Sequence, residues 1–519
     1  MTIRPHAAAP AARSAAALAA GFGVALAAVP FVAQAQAPAG NLRVAIYGDP
    51  DIMDPTLARS LVGRIVFAGL CDKLFDISDK LEVVPQLATG YRWEDPRTLI
   101  LTLRPNVKFH DGEPMDAEAV RYSLNRHMTM QGSFRRSEIG IMQAVEVVDP
   151  LTVRIRLQAP SAPFLSQLAD RAGIIVSPKA AEAGGRDFGM RPVCAGPFRW
   201  VERVAQDHIT LQRFPDYWDA GRIHLERVTY QVITDSSVRS ANLRSGAVDI
   251  THDIAPSDVA EVRAARNMRV VANDALGYWG LTINMNNGPR AQTPMGQDPR
   301  VREALEIAID REALIQVVFD GAFAPATQSV GPESPFFAPE IPLPRRDPER
   351  AKQLLREAGV PIPFPVEVMV ANVPEQRQAV EVMQAMAAEA GFALRINAVE
   401  FASGLQAAAR GDFQLYLSGW SGRPDADGNI YAFLHSTGGQ NDNKYSNPEV
   451  DRLIEAARVE PDVAKRRELY GRMWQIALRQ DHSRLYLWHI RNIAAMNTRV
   501  QNFRPHPDGL IRLQDLRLQ

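Results

Sequence analysis

The stretch 364–423 reads FPVEVMVANVPEQRQAVEVMQAMAAEAGFALRINAVEFASGLQAAARGDFQLYLSGWSGR, and its pattern indicates the fold. Alternating apolar residues predict three strands, and apolar residues at helical spacing predict the two helices between them. In chain order these elements are Val366–Val370, Glu375–Ala390, Phe392–Val399, Phe401–Arg410 and Phe413–Leu417. Strands that alternate with helices across short, glycine-bearing joints form right-handed parallel β-α-β units. The sequence therefore predicts an α/β fold.

The last predicted strand runs directly into Ser418-Gly419-Trp420-Ser421-Gly422-Arg423. Ligands of parallel α/β sheets bind outside the carboxyl ends of the strands. Aromatic residues usually belong to the core, but glycine and serine on both sides of Trp420 would build a poor core. We therefore expect Trp420 to face a ligand cleft.

The remaining chain continues the mixture of strands and helices. Apolar patterns predict strands at Leu42–Tyr47, Thr98–Leu103 and Thr152–Leu157, and a helix at Ser60–Phe75. Asp116 is a good N-cap for a helix that begins at Ala117, and Asp-Pro pairs at 298–299 and 347–348 begin two further helices.

Length and charge narrow the class of protein. With 519 residues, the chain is long enough for several domains of roughly 100–200 residues each. Its 58 basic and 59 acidic residues give a net charge of −1, which provides no basic field for nucleic acid. The 2 cysteines exclude a four-cysteine metal cluster. Cys71 and Cys194 either form a disulfide or are separate buried thiols.

The N-terminal segment has the pattern of a secretory signal peptide. Arg4, His6 and Arg13 precede an uncharged run, Ala15–Val32, and Ala33-Gln34-Ala35 provides a small-x-small cleavage site. The alternative is a membrane anchor, but the run is short and weakly apolar for a span. We predict cleavage after the first 35 residues and export of the mature chain.

Catalytic motifs are missing from the sequence. It contains no HExxH, GxSxG or phosphate-binding glycine loop, and no two of its 10 histidines are four residues apart. Asp425 and Asp427 could form an acid–base pair, although a solvated turn is the simpler explanation. The sequence thus favours a protein without catalytic or metal-ligating residues.

Several segments together resemble one family. They are LRVAIYGDPDIMDP at 42–55, KFHDGEPMDAEAV at 108–120, CAGPFRWVE at 194–202, RFPDYWDAG at 213–221, NLRSGAVDI at 242–250, DPRVREALEIAIDRE at 298–312, GWSGRPDADGN at 419–429 and YSNPEVDRLI at 445–454. In this order they resemble the bacterial periplasmic solute-binding proteins of family 5, which serve ABC importers of dipeptides, oligopeptides and nickel complexes. The resemblance covers essentially residues 40–519.

The resemblance implies an α/β, two-lobed periplasmic-binding-protein fold of type II, in the large cluster with an extra subdomain and with the ligand cleft at the hinge. The implied domains are the signal peptide at 1–35, lobe one at 36–275 with an inserted subdomain at about 84–190, lobe two at 276–492, and a C-terminal return to lobe one at 493–519.

The resemblance also implies ligand-binding positions. Gly419 and Ser421 match positions where the family offers backbone groups, and Trp420 and Gly422 belong to the same run. Four further positions are implied: Tyr47 and Asp49 at the end of the first strand, and Tyr278 and Trp279 where the chain crosses the hinge.

One position departs from the family pattern. Similar peptide-binding members have an aspartate for the ligand's ammonium group where this chain has Arg423. The planar fork of arginine suits a carboxylate. We therefore expect an acidic, glutathione-like or opine-like ligand, with Asp425 available for the ammonium. The alternative is that Arg423 points to solvent.

The implied function is capture of a peptide or peptide-like solute in the periplasm and delivery to the permease subunits of an ABC importer. The resemblance implies a monomer without cofactor, catalytic residue, metal or nucleic-acid partner. Two alternatives remain, a secreted peptide hydrolase and a nickel or haem binder of the same fold, although no His-rich or Met-rich cluster supports a metal.

Overall fold

The computed structural model describes residues 40–519, so the predicted signal peptide lies outside the described residues. The strands of this range are β1 (Asn41–Ile46), β2 (Phe75–Ile77), β3 (Val83–Pro85), β4 (Ala88–Asp95), β5 (Thr98–Leu103), β6 (Met142–Asp149), β7 (Thr152–Leu157), β8 (Phe198–Val204), β9 (His208–Arg213), β10 (Arg227–Val232), β11 (Ile250–Thr251), β12 (Met268–Ile283), β13 (Ala324–Pro325), β14 (Phe364–Ala371), β15 (Phe392–Val399), β16 (Leu415–Trp420), β17 (Arg484–Asn497), β18 (Val500–Gln501) and β19 (Arg517–Leu518).

The helices are α1 (Leu61–Leu70), α2 (Ala117–Thr129), α3 (Arg136–Ile139), α4 (Phe164–Gln167), α5 (Pro178–Gly184), α6 (Ser236–Ser245), α7 (Val259–Ala264), α8 (Pro294–Gln297), α9 (Pro299–Ala308), α10 (Arg311–Phe319), α11 (Pro348–Glu357), α12 (Pro374–Glu389), α13 (Phe401–Arg410), α14 (Asp427–Leu434), α15 (Pro448–Val459) and α16 (Val463–Trp474). Between residues 40 and 519, no helix is both long and apolar enough to cross a membrane.

One large mixed sheet runs through the molecule in the order β15-β14-β16-β12-β17-β11-β1-β10-β9-β8, with β13 paired to β17. The predicted parallel unit is confirmed, because β14 pairs in parallel with both β15 and β16 while α12 and α13 connect them. At the other end of the sheet β1 pairs in parallel with β10 and β11. The long strands β12 and β17 pair antiparallel and join the two parallel parts.

Local signals set several helix ends as predicted. The Asp116 side chain accepts a hydrogen bond from the Ala119 amide at the start of α2. The predicted helix at Ser60–Phe75 is wrong at its C-terminal end, because α1 ends at Leu70 and the chain is extended at Cys71 before β2 begins.

The predicted strand Phe413–Leu417 is also displaced. β16 begins at Leu415 and continues to Trp420, because β12 pairs with it from Ile283 to Tyr278. Gly419 and Trp420 therefore lie in a strand and not in a loop.

Three of the apolar cores draw their side chains from different parts of the chain. One core combines side chains between Leu42 and Ile250 with side chains between Ala494 and Leu516. A second core combines side chains between Leu281 and Trp488. A third lies between Leu74 and Ala195, where β4, β5, β7 and β6 form a separate sheet. The fold is two-lobed; the boundaries at 275/276 and 492/493, and the inserted subdomain at about 84–190, stay predictions.

Cys71 and Cys194 are joined by a disulfide across 123 positions of sequence. Both cysteines belong to the core that contains β1 and α1. The bond therefore ties the end of α1 to the segment that leads into β8.

We expect the unfolded, non-reduced protein to show no free thiol and the reduced protein to show two. Removing a disulfide that closes a long loop destabilises a protein by roughly 2–5 kcal/mol, so the variant with both Cys71→Ser and Cys194→Ser should unfold at lower urea concentration. Thiol titration in denaturant checks the first expectation, and two titratable thiols without reductant would contradict it.

Candidate ligand-binding cleft

A cleft lies beside the carboxyl ends of the parallel strands. Tyr47 follows β1, Asp253 follows β11, Val373 follows β14 and Phe401 follows β15, and all four residues line it. The cleft contains about 1540 Å³ of space, including its opening to solvent. This position is where open α/β sheets bind ligands.

Aromatic rings form an apolar wall of the cleft. Trp279 of β12 stacks on Trp488 of β17 with ring centroids 6.2 Å apart, and Phe319 packs on Trp488 at 5.0 Å. The Trp279 ring also covers Gly419, where an added Cβ would approach the ring to 2.7 Å. Glycine is thus required at position 419 so that Trp279 can lie flat on β16.

Tyr47 and Phe401 form a second aromatic contact, edge to face at 6.0 Å. Desolvation by burial raises the pKa of the Tyr47 hydroxyl, with a further contribution from the charge of Asp253. The hydroxyl therefore stays protonated and can donate a hydrogen bond to a ligand.

The cleft contains charged side chains of both signs. Arg59 makes an ion pair with Asp442 at 2.6 Å, although the two residues are 383 positions apart in sequence. Asp253 and Glu375 also line the cleft, and neither makes an ion pair with another described residue. These two carboxylates are available to a cationic group of a ligand.

Three polar side chains, which we call the polar floor, lie on neighbouring strands: Thr282 on β12, Ser418 on β16 and Arg484 on β17. The Thr282 and Ser418 hydroxyls are 3.0 Å apart, and Arg484 Nη2 donates to Ser418 Oγ at 3.2 Å. Arg484 was not found by sequence reasoning, because it begins an apolar strand and carries no motif.

Five of the predicted site residues line the cleft: Tyr47, Trp279, Gly419, Trp420 and Ser421. Trp420 donates its indole N–H to Asn429 at 2.9 Å and packs edge to face on Phe433. The Ser421 hydroxyl accepts hydrogen bonds from Arg64 at 3.0 Å and from Arg423 at 3.3 Å.

Asp49 and Tyr278, also predicted, are buried away from the cleft. Asp49 makes an ion pair with Arg203 at 2.9 Å and accepts from the Gln206 amide at 3.0 Å. Tyr278 packs edge to face on Tyr486 at 4.8 Å. Their predicted contact with a ligand is therefore corrected to a structural role.

Gly422 has φ +77°, and an added Cβ would meet the Leu276 carbonyl oxygen at 2.1 Å. Its glycine is thus explained by contact between chain segments and not by a ligand. Asp425, predicted to hold an ammonium group, is corrected as well, since Arg466 binds its two oxygens at 2.6 and 2.8 Å.

The prediction that Arg423 faces the ligand is wrong, and so is the alternative that it points to solvent. Its side chain is 6% exposed, its Nε pairs with Asp170, and its guanidinium lies 4.2 Å from the centroid of the Trp420 ring. Burial lowers the pKa of Arg423 to about 10, so the group is still charged at neutral pH. Arg423 therefore gives no support to the predicted acidic ligand.

Asp170 receives two guanidinium groups. Besides Arg423 it binds Arg64 Nε at 3.0 Å. Burial alone would raise the pKa of Asp170, but the charges of Arg423 and Arg64 hold it well below its usual value. Because Asp170 lies between α4 and the next helical turn, this cluster connects the segment near 170 to the segment that follows β16.

In the described range, no group of three or more His, Cys, Asp or Glu side chains is arranged to hold a metal ion. The cleft lies between two lobes, and it is lined by an aromatic wall and by two carboxylates without ion pairs. This arrangement is typical of a protein that binds a small solute.

Comparison with known proteins identifies the family. Residues 82–441 match the profile described as bacterial extracellular solute-binding proteins, family 5. The glutathione-binding protein GsiB of Salmonella paratyphi A is 30% identical over 447 residues, which is 83% of this chain and 86% of that protein. The chain belongs to family 5 of the extracellular solute-binding proteins, whose members are transport components and not enzymes. The hydrolase alternative is thereby excluded.

Solved structures agree on the fold. The dipeptide-binding protein of Pseudoalteromonas sp. SM9913 in complex with Met-Leu has a TM-score of 0.86 at 22% identity, covering 92% of this chain and 100% of that one. The ABC transporter-associated periplasmic binding protein DppA of Helicobacter pylori, in complex with the peptide STSA, has a TM-score of 0.85 at 23% identity, covering 92% and 98%.

We expect Arg423→Ala to destabilise the protein by roughly 3 kcal/mol, at the lower end for a broken buried ion pair because Arg64 still faces Asp170. Urea unfolding of the ligand-free protein measures the effect. The matched control is Arg410→Ala, because Arg410 is 62% exposed and pairs with the exposed Asp412. Equal stability of the two variants would contradict the structural role of Arg423.

Proposed function

We propose that this protein captures a peptide or peptide-like solute outside the cytoplasm and delivers it to the permease subunits of an ABC importer. The observation that carries the proposal is the cleft, which is lined by an aromatic wall, by the polar floor and by the unpaired carboxylates of Asp253 and Glu375. Such a lining suits a solute with an apolar body, a cationic end and polar backbone groups. The name of the relative GsiB, which binds glutathione, supports a small peptide derivative as the solute.

The proposal includes closure of the lobes around the solute, with the hinge where the chain crosses between them at 275/276 and 492/493. The Asp170 cluster is close to this hinge, because Gly422 next to it contacts Leu276. The Arg59–Asp442 pair joins residues of the two predicted lobes across the cleft. Contacts near a hinge move little, so we propose that Arg59 and Asp442 separate on opening while the Asp170 cluster persists.

The ligand-binding residues that we propose are the predicted residues at the cleft surface, Tyr47, Trp279, Gly419, Trp420 and Ser421, together with Asp253 and Glu375. We further propose that the protein acts as a monomer in the periplasm. The predicted signal peptide at 1–35 supports export, and the family description as extracellular agrees with it.

Native mass spectrometry of protein purified from the periplasm tests the function, since a closed cleft retains its solute. We expect a bound mass that is lost on denaturation. Trp279→Ala should retain much less solute and bind it at least about tenfold more weakly in calorimetric titration, because a tryptophan at a binding site is often a dominant contact. Trp200→Ala on β8, outside the cleft, is the matched control.

A saturating solute should also raise the unfolding temperature, since binding at a hundredfold excess over Kd adds about 2.7 kcal/mol to stability. Wild-type protein that retains no solute and shows no stabilisation by glutathione or by dipeptides would contradict the proposed function.

For export, we expect the mature protein to begin just after Ala35, because the small-x-small pattern there follows the uncharged run. N-terminal sequencing of periplasmic protein measures this directly. A chain that begins at Met1 would contradict cleavage.

A further inference from the structure

Arg484 lies at the floor of the cleft with its charge uncompensated. It is the first residue of β17, pairs with Thr282 of β12, and is only 5% exposed. Among the described residues, its side chain makes one hydrogen bond, from Nη2 to Ser418 Oγ at 3.2 Å. Its Nε is buried and has no hydrogen-bond acceptor in the part of the chain that the structure describes.

Three aromatic rings lie near the Arg484 guanidinium. The guanidinium carbon is 5.2 Å from the centroid of the Phe433 ring, 5.7 Å from that of Tyr278 and 6.0 Å from that of Tyr486. Such contacts stabilise a cation in part. The rings also exclude water and so lower the local dielectric constant. An opposite charge is therefore attracted to the guanidinium more strongly than it would be in water.

The other arginines of the cleft are compensated. Arg59 pairs with Asp442, and Arg491 pairs with Asp274 at 2.9 Å. Arg239 donates to three backbone carbonyls, those of Ile233, Thr234 and Asp253, each at 2.9 Å. Arg484 has neither kind of partner, because among the described residues its side chain makes no ion pair with a carboxylate and donates to no carbonyl. A buried charge without a partner is costly to the fold, and because Arg484 lines the cleft, a ligand can supply that partner.

We propose that Arg484 binds a carboxylate group of the solute and that the hydroxyls of Thr282 and Ser418 complete this anion site. The planar guanidinium donates to both oxygens of a carboxylate, and a hydroxyl beside it can donate a further hydrogen bond. The site is distinct from Arg423, whose charge is already used by Asp170. The inference rests on the proposed function and specifies one chemical group of the solute.

The test compares probes with and without the carboxylate charge. Glutathione and its dimethyl ester form one pair, and the dipeptide Met-Leu and its C-terminal amide form the other. Calorimetric titration is done with wild type, Arg484→Gln, Arg484→Lys and the exposed control Arg410→Gln. We expect wild type to bind the charged form of at least one pair more tightly, and Arg484→Gln to lose roughly 10- to 150-fold in affinity for that form while binding the neutral form unchanged.

Arg484→Lys should recover only part of the preference, because an ammonium keeps the charge but not the fork. Arg410→Gln, which changes net charge equally, should behave as wild type. Ligand-free Arg484→Gln should unfold at the same temperature as wild type or higher, since it removes an unpaired buried charge, and this measurement verifies folding. The inference is overturned if wild type binds neutral and charged forms alike, or if Arg484→Gln keeps the wild-type preference.

If no probe binds, the inference is tested on the solute that the wild-type protein retains from the periplasm. Methyl esterification of the released solute counts its carboxyl groups. A solute that carries a carboxyl group, and that Arg484→Gln fails to retain, supports the inference; a solute without one overturns it while the proposed function stands. If wild type neither retains a solute nor binds a probe, the proposed function fails first and the inference with it.

Discussion

The antiparallel pairing of β12 with β17 is the interaction on which the rest of the structure depends. It extends from Met268 opposite Asn497 to Thr282 opposite Arg484, and it makes one continuous sheet of two parallel parts. The ladder is interrupted between Asp274 and Tyr278, where the register shifts. The ladder is locally disrupted there, and this interruption coincides with the predicted crossing at 275/276.

The same pairing builds the cleft. It places Trp279 of β12 opposite both Gly419 of β16 and Trp488 of β17, so two rings of the aromatic wall come from this strand pair and Gly419 leaves room for them. It also places Arg484 beside Thr282, within reach of Ser418. The strand that connects the lobes therefore also carries the binding surface, and a shift of its register would remove the wall and the polar floor together.

Much of the fold could be predicted from the sequence, because its signals are local. The β14-α12-β15-α13-β16 unit follows from periodicity, and the start of α2 follows from the Asp116 cap. The end of β16 could not be predicted, since it depends on a partner strand that is remote in sequence. For the same reason the sequence predicted a ligand contact for both Tyr278 and Trp279. In the structure the side chain of Tyr278 packs in an apolar core, whereas that of Trp279 lines the cleft.

Arg423 and Arg484 show why the partner of a charged residue could not be predicted from the sequence. Arg423 and Arg484 are both buried beside strands of the same sheet, and both contact aromatic rings. Only the fold brings Asp170 to Arg423, and no carboxylate of the described chain comes to Arg484. Since an unpaired buried charge is costly, the arginine that the protein pairs internally is structural, and the one that it leaves unpaired next to the cleft is the better candidate for recognition.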